Sequence, residues 1–301
     1  AEKIFDYWKT IHNRNSIDNL GLVIKSNVHF GASYNNAAWL GPPNNSVVYG
    51  DGDGIKYTSL TSLDVCAHEF GHGITQFVNG LQLTTAESGA LNEGFSDIWG
   101  AVIENWAAPN SPPKNKWLCG EEIYLQFPFY TRNMSNPNLT PSPNAQPDTY
   151  LGTNWNSGNS HINSGVLSYW FYLLTEGGCG TNDVNNNYFV RGIGIDRAAK
   201  IAYETEKLLA SNANFNSCRT QSLLAAQTVY GNNSIEYYSV ANAWYAVGVG
   251  SLISYPSNIQ FTISGVSCIN NCAPLQNSYT INNLPPNATV SWQVTPNNSS
   301  S

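Results

Sequence analysis

His68-Glu69-Phe70-Gly71-His72 lies inside a run whose apolar positions repeat with the helical period over about 63–78. Histidines at i and i+4 on a helix stand one turn apart on the same face, where both imidazoles can reach one tetrahedral zinc ion. Glu69 then projects beside them, toward a water at that metal. Taken alone, the five residues are also compatible with a partly exposed helix that carries two hydrogen-bonded histidines.

The next helical pattern, over about 88–106, narrows the choice. It contains Asn92-Glu93-Gly94-Phe95-Ser96-Asp97, and it sets Glu93, Asp97, Gly100 and Glu104 on one face of an otherwise apolar helix. Buried acids are costly unless they meet a cation or hydrogen-bond donors. The short connection makes the two helices antiparallel, so Glu93 is predicted to face His68 and His72 as a third ligand, leaving a fourth position open. Asp97 is then placed to accept the spare ring N–H of His68, and Asn92 that of His72. The plainer reading of Asp97 and Asn92 is helix surface or capping. Of the other histidines, His161 follows a long loop in Ser160-His161-Ile162-Asn163-Ser164-Gly165, whereas His12 and His29 have no comparable context.

Composition bounds the remaining possibilities. Of 301 residues 42% are hydrophobic and only 11% charged, against about 25% charged in an average soluble domain. Asn, Ser and Thr must therefore carry the polar surface, a look common among secreted proteins. A net charge of −7 with scattered Lys and Arg leaves no basic stripe for nucleic acid. No apolar run approaches the roughly 18 residues of a membrane span. Six cysteines without paired C-x-x-C motifs favour disulfides in an oxidising compartment over a zinc ribbon.

The first 80 residues mix one short helical pattern (Ile4, Phe5, Tyr7, Trp8, Ile11) with extended segments such as Val47-Val48-Tyr49, and read as a partial β-rich lobe that ends in the histidine helix. Residues 81–250 read as a mainly helical lobe, with further helices at about 162–176, 191–210, 216–230 and 234–246 and a Pro- and Asn-rich stretch over about 107–160. Residues 251–301 alternate short apolar runs with Pro, Asn and Gly, the pattern of strands at the start of a β-sandwich.

Seven segments, in order over residues 1 to about 250, make the chain resemble the thermolysin family of zinc metalloendopeptidases, the gluzincins. They are Asn35–Trp39, Val48–Gly54, Asp64–Glu69, Glu87–Glu93, Arg132–Ser135, His161–Gly165 and Ala246–Val249. The resemblance implies an α+β, two-lobed zincin with one catalytic zinc on His68, His72 and Glu93, and with protein or peptide substrates. It further implies Glu69 as the catalytic base, His161 as the oxyanion donor, and Asn36 and Ala37 on an edge strand that holds the substrate backbone. Arg132 is implied to bind a substrate carbonyl. Leu60, Val65 and Ile123 are implied to line a pocket for a large apolar residue after the cut bond. Secretion and a monomeric state go with the same resemblance, and residues 251–301 resemble a truncated immunoglobulin-like module.

The chain departs from the family pattern in several places. Asn156 stands where an Asp should orient His161, and Leu81–Ala86 lacks the tyrosine that should assist it. The family's paired calcium site is implied by Asp64, Glu104, Glu121 and the carbonyl of Leu118, but Lys116 replaces the bridging Asp. An ammonium in the second ion's place leaves one calcium as the expectation. Disulfides are expected between Cys66 and Cys119 and between Cys179 and Cys218.

Overall fold

The computed structural model describes residues 1–83, 86–108 and 115–255, together with two short strands at 263–264 and 280–281. It opens with α1 (Glu2–His12), whose Ile4, Tyr7 and Trp8 share one buried face. Three strands follow, β1 (Ser26–Asn27), β2 (Ala37–Leu40) and β3 (Ser46–Tyr49), in the order β1-β3-β2. β3 is buried along its whole length, pairing parallel with β1 and antiparallel with β2. Among the described residues, β2 therefore has one edge that pairs with no other strand.

Two long helices carry the motif residues, α2 (Leu63–Val78) and α3 (Ala86–Ala107). Small residues let them pack closely: a Cβ on Gly71 would come within 2.9 Å of the Ser96 Cα, and one on Gly100 within 3.0 Å of the Asp64 carbonyl oxygen. With mid-helix Gly71 against Ser96 and Asp64 at the start of α2 against the later Gly100 of α3, the two helices run antiparallel, as the short connection leads one to expect.

The stretch over 107–160 is less regular. Its described part holds a two-residue ladder between β4 (Leu118–Cys119) and β5 (Arg132–Asn133), which returns Arg132 to the helix pair. Next come α4 (Ser160–Asn163) and α5 (Gly165–Glu176), separated at Ser164 where one helix was predicted. A hairpin of β6 (Gly178–Thr181) and β7 (Asn187–Val190) had no counterpart in the periodicity. The helices α6 (Ile195–Leu208), α7 (Phe215–Tyr230) and α8 (Ile235–Ala246) fall close to their predicted bounds. β8 (Ile263–Ser264) pairs antiparallel with β9 (Thr280–Ile281), and the rest of the immunoglobulin-like expectation lies outside the described residues. Among the described residues, no helix is long and apolar enough to cross a membrane.

Neither expected disulfide is present. None of Cys66, Cys119, Cys179 and Cys218 takes part in a disulfide. The Cys66 Sγ faces the Thr61 carbonyl at 3.6 Å and the side of Tyr49, whereas Cys119 is buried among Asp97, Arg132 and Asp64. Cys218 is fully buried inside α7, while Cys179 sits in the partly exposed β6. Cys268 and Cys272 lie outside the described residues.

One buried acid joins three helices. Glu206 of α6 is fully buried and accepts hydrogen bonds from Thr75 Oγ1 of α2 at 2.7 Å and Trp99 Nε1 of α3 at 2.9 Å. Burial pushes its carboxyl up to about 7 from the usual 4.5, although these two bonds and the charge of Arg14 oppose the rise. The folded chain therefore keeps a proton that the unfolded chain has released, and stability falls as pH rises from about 4.5 to about 7. In Glu206→Gln the amide oxygen can still accept from Trp99 while the NH2 faces Thr75. This variant should gain on the order of 1–3 kcal/mol over the parent at pH 8 and nothing at pH 4. Thermal melts across that range check it. His12, held down near 4 by burial and by Lys207, Arg14 and Lys200, acts in the opposite sense and cancels in the comparison.

Candidate active site

The antiparallel pair brings His68, His72 and Glu93 together, with one potential ligand atom from each lying within 4.8 Å of the others. Glu93 is buried, and its carboxylate oxygens lie 3.5 Å from His68 Nε2 and 3.8 Å from His72 Nε2. On the other side of each ring, Nδ1 is engaged: His68 with Asp97 Oδ1 at 2.9 Å, His72 with Asn92 Oδ1 at 2.6 Å. A proton held at each Nδ1 leaves the Nε2 lone pair for a metal, so the cluster fits a zinc site by donor type and by orientation.

Electrostatics make the cluster receptive to a cation. Burial alone would raise the Glu93 carboxyl, but the bond from His68 and the charges of His72 and His161 hold it far below its usual range. Burial likewise disfavours charge on His68, yet Asp97 and Glu93 outweigh it and push its pKa up to about 10. Metal entry must therefore displace a proton. Asp97 is buried too, and remains ionised because Arg132 and His68 pull its carboxyl down. The Arg132 Nε lies 3.1 and 3.0 Å from the two Asp97 oxygens, and Ser168 Oγ approaches one of them at 3.5 Å.

Asp97 thus connects Arg132 to a histidine of the cluster. Asp97→Asn keeps the shape but loses the charge that makes the His68 imidazole a better donor. Zinc affinity should fall by about 10–100-fold, as read by competition with a chromophoric chelator. An unchanged affinity would mean that His68 needs no such support.

Glu69 is nearly buried, with Oε2 accepting the Trp39 backbone N–H of β2 at 2.9 Å. Trp39 is fixed in turn by its ring Nε1, which donates to Gln76 Oε1 of α2 at 2.7 Å. A cleft of about 370 Å³ runs past these groups between the β2 edge and the helix pair. Asn36, Ala37, Leu60, Val65, Ile123, Arg132 and His161 all line it, as do Glu69, Asp97 and the three cluster residues. Its apolar end is formed by the buried Leu60 and Ile123 with Val65. His161 reaches the same cluster from α4, its Nε2 3.3 Å from a Glu93 oxygen on an imidazole that is 72% exposed.

Other expected residues stand elsewhere. Asn156 does not orient His161: its side-chain oxygen faces the Gly158 N–H at 3.3 Å, while its backbone pairs with the Asn163 side chain. These bonds close the loop on its own amides, and none of them reaches the imidazole. Lys116 does not fill a calcium position either, because its ammonium lies 2.9 Å from Glu176 Oε1 and over the Trp117 ring. Asp64 accepts the Gly120 N–H at 2.6 Å and the Ser62 hydroxyl at 2.6 Å, next to the turn that holds Leu118 and Glu121. Glu104 is buried on α3, one turn beyond the Gly100 that touches Asp64.

Sequence reasoning missed the Trp39 N–H, the Ser96 hydroxyl 3.1 Å from His72 Nδ1, and the walls contributed by Tyr57, Cys119 and Thr131. A backbone donor carries no residue signature. Ser96, one position from Asp97, was legible only as part of the helix face.

Comparison with known proteins agrees with this geometry. The family model for the thermolysin metallopeptidase catalytic domain matches residues 1–76, and that for the thermolysin metallopeptidase alpha-helical domain matches residues 80–249. A bacillolysin of Brevibacillus brevis is 40% identical over 255 residues, covering 83% of this chain and 44% of that protein. A thermolysin of Alicyclobacillus acidocaldarius is 38% identical over 253 residues, with 83% and 44% covered. The chain thus spans less than half the length of these curated relatives. Among solved structures, a precursor of protealysin, a metalloproteinase from Serratia proteamaculans, matches with a TM-score of 0.68 and 29% identity, over 83% of this chain and 76% of that one. With one family model spanning residues 80–249 and its companion the histidine helix, the chain belongs to the thermolysin metallopeptidase family.

Proposed function

We propose that this chain is a secreted, zinc-dependent endopeptidase that prefers a large apolar residue immediately after the scissile bond. The observation that carries the reading is the position of Glu69, hung from the free-edged strand β2 beside His68, His72 and Glu93. When bound there, zinc supplies a Lewis acid that polarises the substrate carbonyl and makes a nearby water more acidic. Everything else falls to the chain's own side chains. A substrate added in extended form along β2 would receive backbone hydrogen bonds near Asn36 and Ala37. Glu69 takes the proton of the attacking water and returns it to the leaving amine. His161, at the open side of the cleft, donates to the oxygen that gains charge. Arg132, anchored by Asp97, presents its guanidinium to a substrate carbonyl.

Leu60, Val65 and Ile123 set the expected specificity. Burying a Leu or Phe side chain contributes about 1.5–3 kcal/mol relative to leaving it exposed. Quenched peptides with Leu or Phe after the cut bond should therefore be turned over roughly 10–100-fold faster than those with Gly or Asp. Turnover should vanish with a zinc chelator and return with zinc. Zinc binding without turnover would instead make the chain a metal-binding module, and a charged preference would remove the pocket assignment.

The same reading includes one structural calcium on Asp64, Glu104, Glu121 and the Leu118 carbonyl, and a monomeric state. With Lys116 committed to Glu176, the ammonium gives no reason for a second ion to be excluded, but it also supplies no oxygen to bridge one.

A further inference from the structure

A second pocket, of about 360 Å³, continues the cleft beyond Arg132 and His161. It shares Tyr57, Thr131, Arg132 and His161 with the first and extends to the Pro-rich segment around Asn144. In a chain with 20 acidic and 13 basic residues, the wall of this pocket holds Lys56 and Arg132 and no carboxylate among the described residues. Arg132 is already paired with Asp97, which lines the first pocket and not the second. Lys56 is the cation with charge to spare. It makes no ion pair among the described residues, and its ammonium lies 5.4 Å from the Tyr57 ring centroid.

Lys56 is held in place at its backbone. Its N–H donates to Asp53 Oδ1 at 2.7 Å and its carbonyl accepts the Leu125 N–H at 3.0 Å, beside the bridge between Tyr57 and Tyr124. Asp53, the acid nearest in the chain, spends its carboxylate on the Asn35 amide and on the N–H groups of Ile55, Lys56 and Tyr57. The remaining polar side chains of the wall include the amides of Asn144 and Asn159, which can donate to an anion.

We infer that this pocket selects substrates bearing a carboxylate downstream of the residue that follows the cut bond, with Lys56 as the specificity-determining residue. The carboxylate is that of an Asp or Glu side chain or of the substrate's own C-terminus. The assignment rests on the proteolytic reading above, since the pocket lies beyond Arg132 on the side that this reading gives to the leaving half of the peptide.

Matched quenched peptides test it. All carry Leu after the scissile bond. One set has Asp or Glu at either of the next two positions against Asn or Gln, all amidated, and another ends as free acid against amide. In the parent, kcat/KM should favour the carboxylate member by roughly fivefold, as for a partly exposed ion pair. The ratio should shrink toward one in about 1 M salt, where the screening length is about 3 Å. Lys56→Gln should bring the ratio to one and Lys56→Glu should invert it. Whichever set shows the ratio identifies the source of the carboxylate. If all peptides are cleaved with ratios near one, or if the parent's ratio survives in Lys56→Gln, the inference fails while the proteolytic reading stands. If none is cleaved, the proteolytic reading fails, and calorimetric binding of amidated Leu-Asp and of free-acid Leu-Asn, each against amidated Leu-Asn, still decides whether the pocket takes a carboxylate: equal affinities in both comparisons overturn it.

Discussion

Replacing Glu69 with Gln should leave about one zinc per chain bound and lower turnover by about 10²–10⁴-fold. The three cluster residues are untouched by this change. A Gln side-chain oxygen can keep the bond from the Trp39 N–H that now holds Glu69 Oε2 at 2.9 Å, so the side chain should stay in position. What disappears is the capacity to accept a proton, and the Asp97 carboxylate cannot take it over because it is engaged by His68 and Arg132. The combination of normal metal content, normal melting temperature and lost turnover would separate a chemical role from a structural one. Near-normal activity with full zinc would remove Glu69 from the mechanism.

His161→Ala carries the second large effect, a fall of about 10²–10³-fold in kcat with a smaller change in KM. The imidazole reaches the cluster from α4, a separate element, and is mostly exposed, so removing it should cost little stability. Its Nε2 stands 3.3 Å from Glu93, close enough to place a donor over the cluster. Asn156 does not support it, because the Asn156 side chain turns back to Gly158. Asn156→Ala alone should therefore leave kcat near that of the parent. Equal rates for His161→Ala and the parent would assign the oxyanion to another donor lining the cleft.

Helix periodicity carried much of the architecture. The α2 bounds match the pattern over 63–78, and α6, α7 and α8 fall near theirs, because each buries an apolar face whose spacing is written locally. The β6–β7 hairpin went unread: its segments, Gly-Cys-Gly-Thr and Asn-Tyr-Phe-Val, are four residues each, and the first is too rich in Gly and both too short for an alternation to register. The division at Ser164 is a matter of local geometry that periodicity does not resolve.

The cluster was also legible, since the i, i+4 histidines and the acids of α3 define faces on two helices joined by a short connection. Where those faces meet is nearly forced by helix geometry, and Asp97 and Asn92 follow from the same register. The disulfide, Asn156 and Lys116 expectations rested on sequence position. Position does not say which way a side chain points. The Cys66 sulfur turns to the Thr61 carbonyl, the 156–163 loop closes on its own amides, and Lys116 finds Glu176 at the end of α5.

By itself, then, the sequence determined the helical framework, the two ligand-bearing faces and the family, because these depend on periodicity and on residue types at fixed local spacing. Only the tertiary structure decided that the Trp39 N–H holds Glu69, that Arg132 is tied to Asp97, and that Lys56 stands beside the cleft in a pocket with no carboxylate among the described residues. Each of these joins segments tens of residues apart through a backbone group or a side-chain direction, and neither is fixed until the chain has packed.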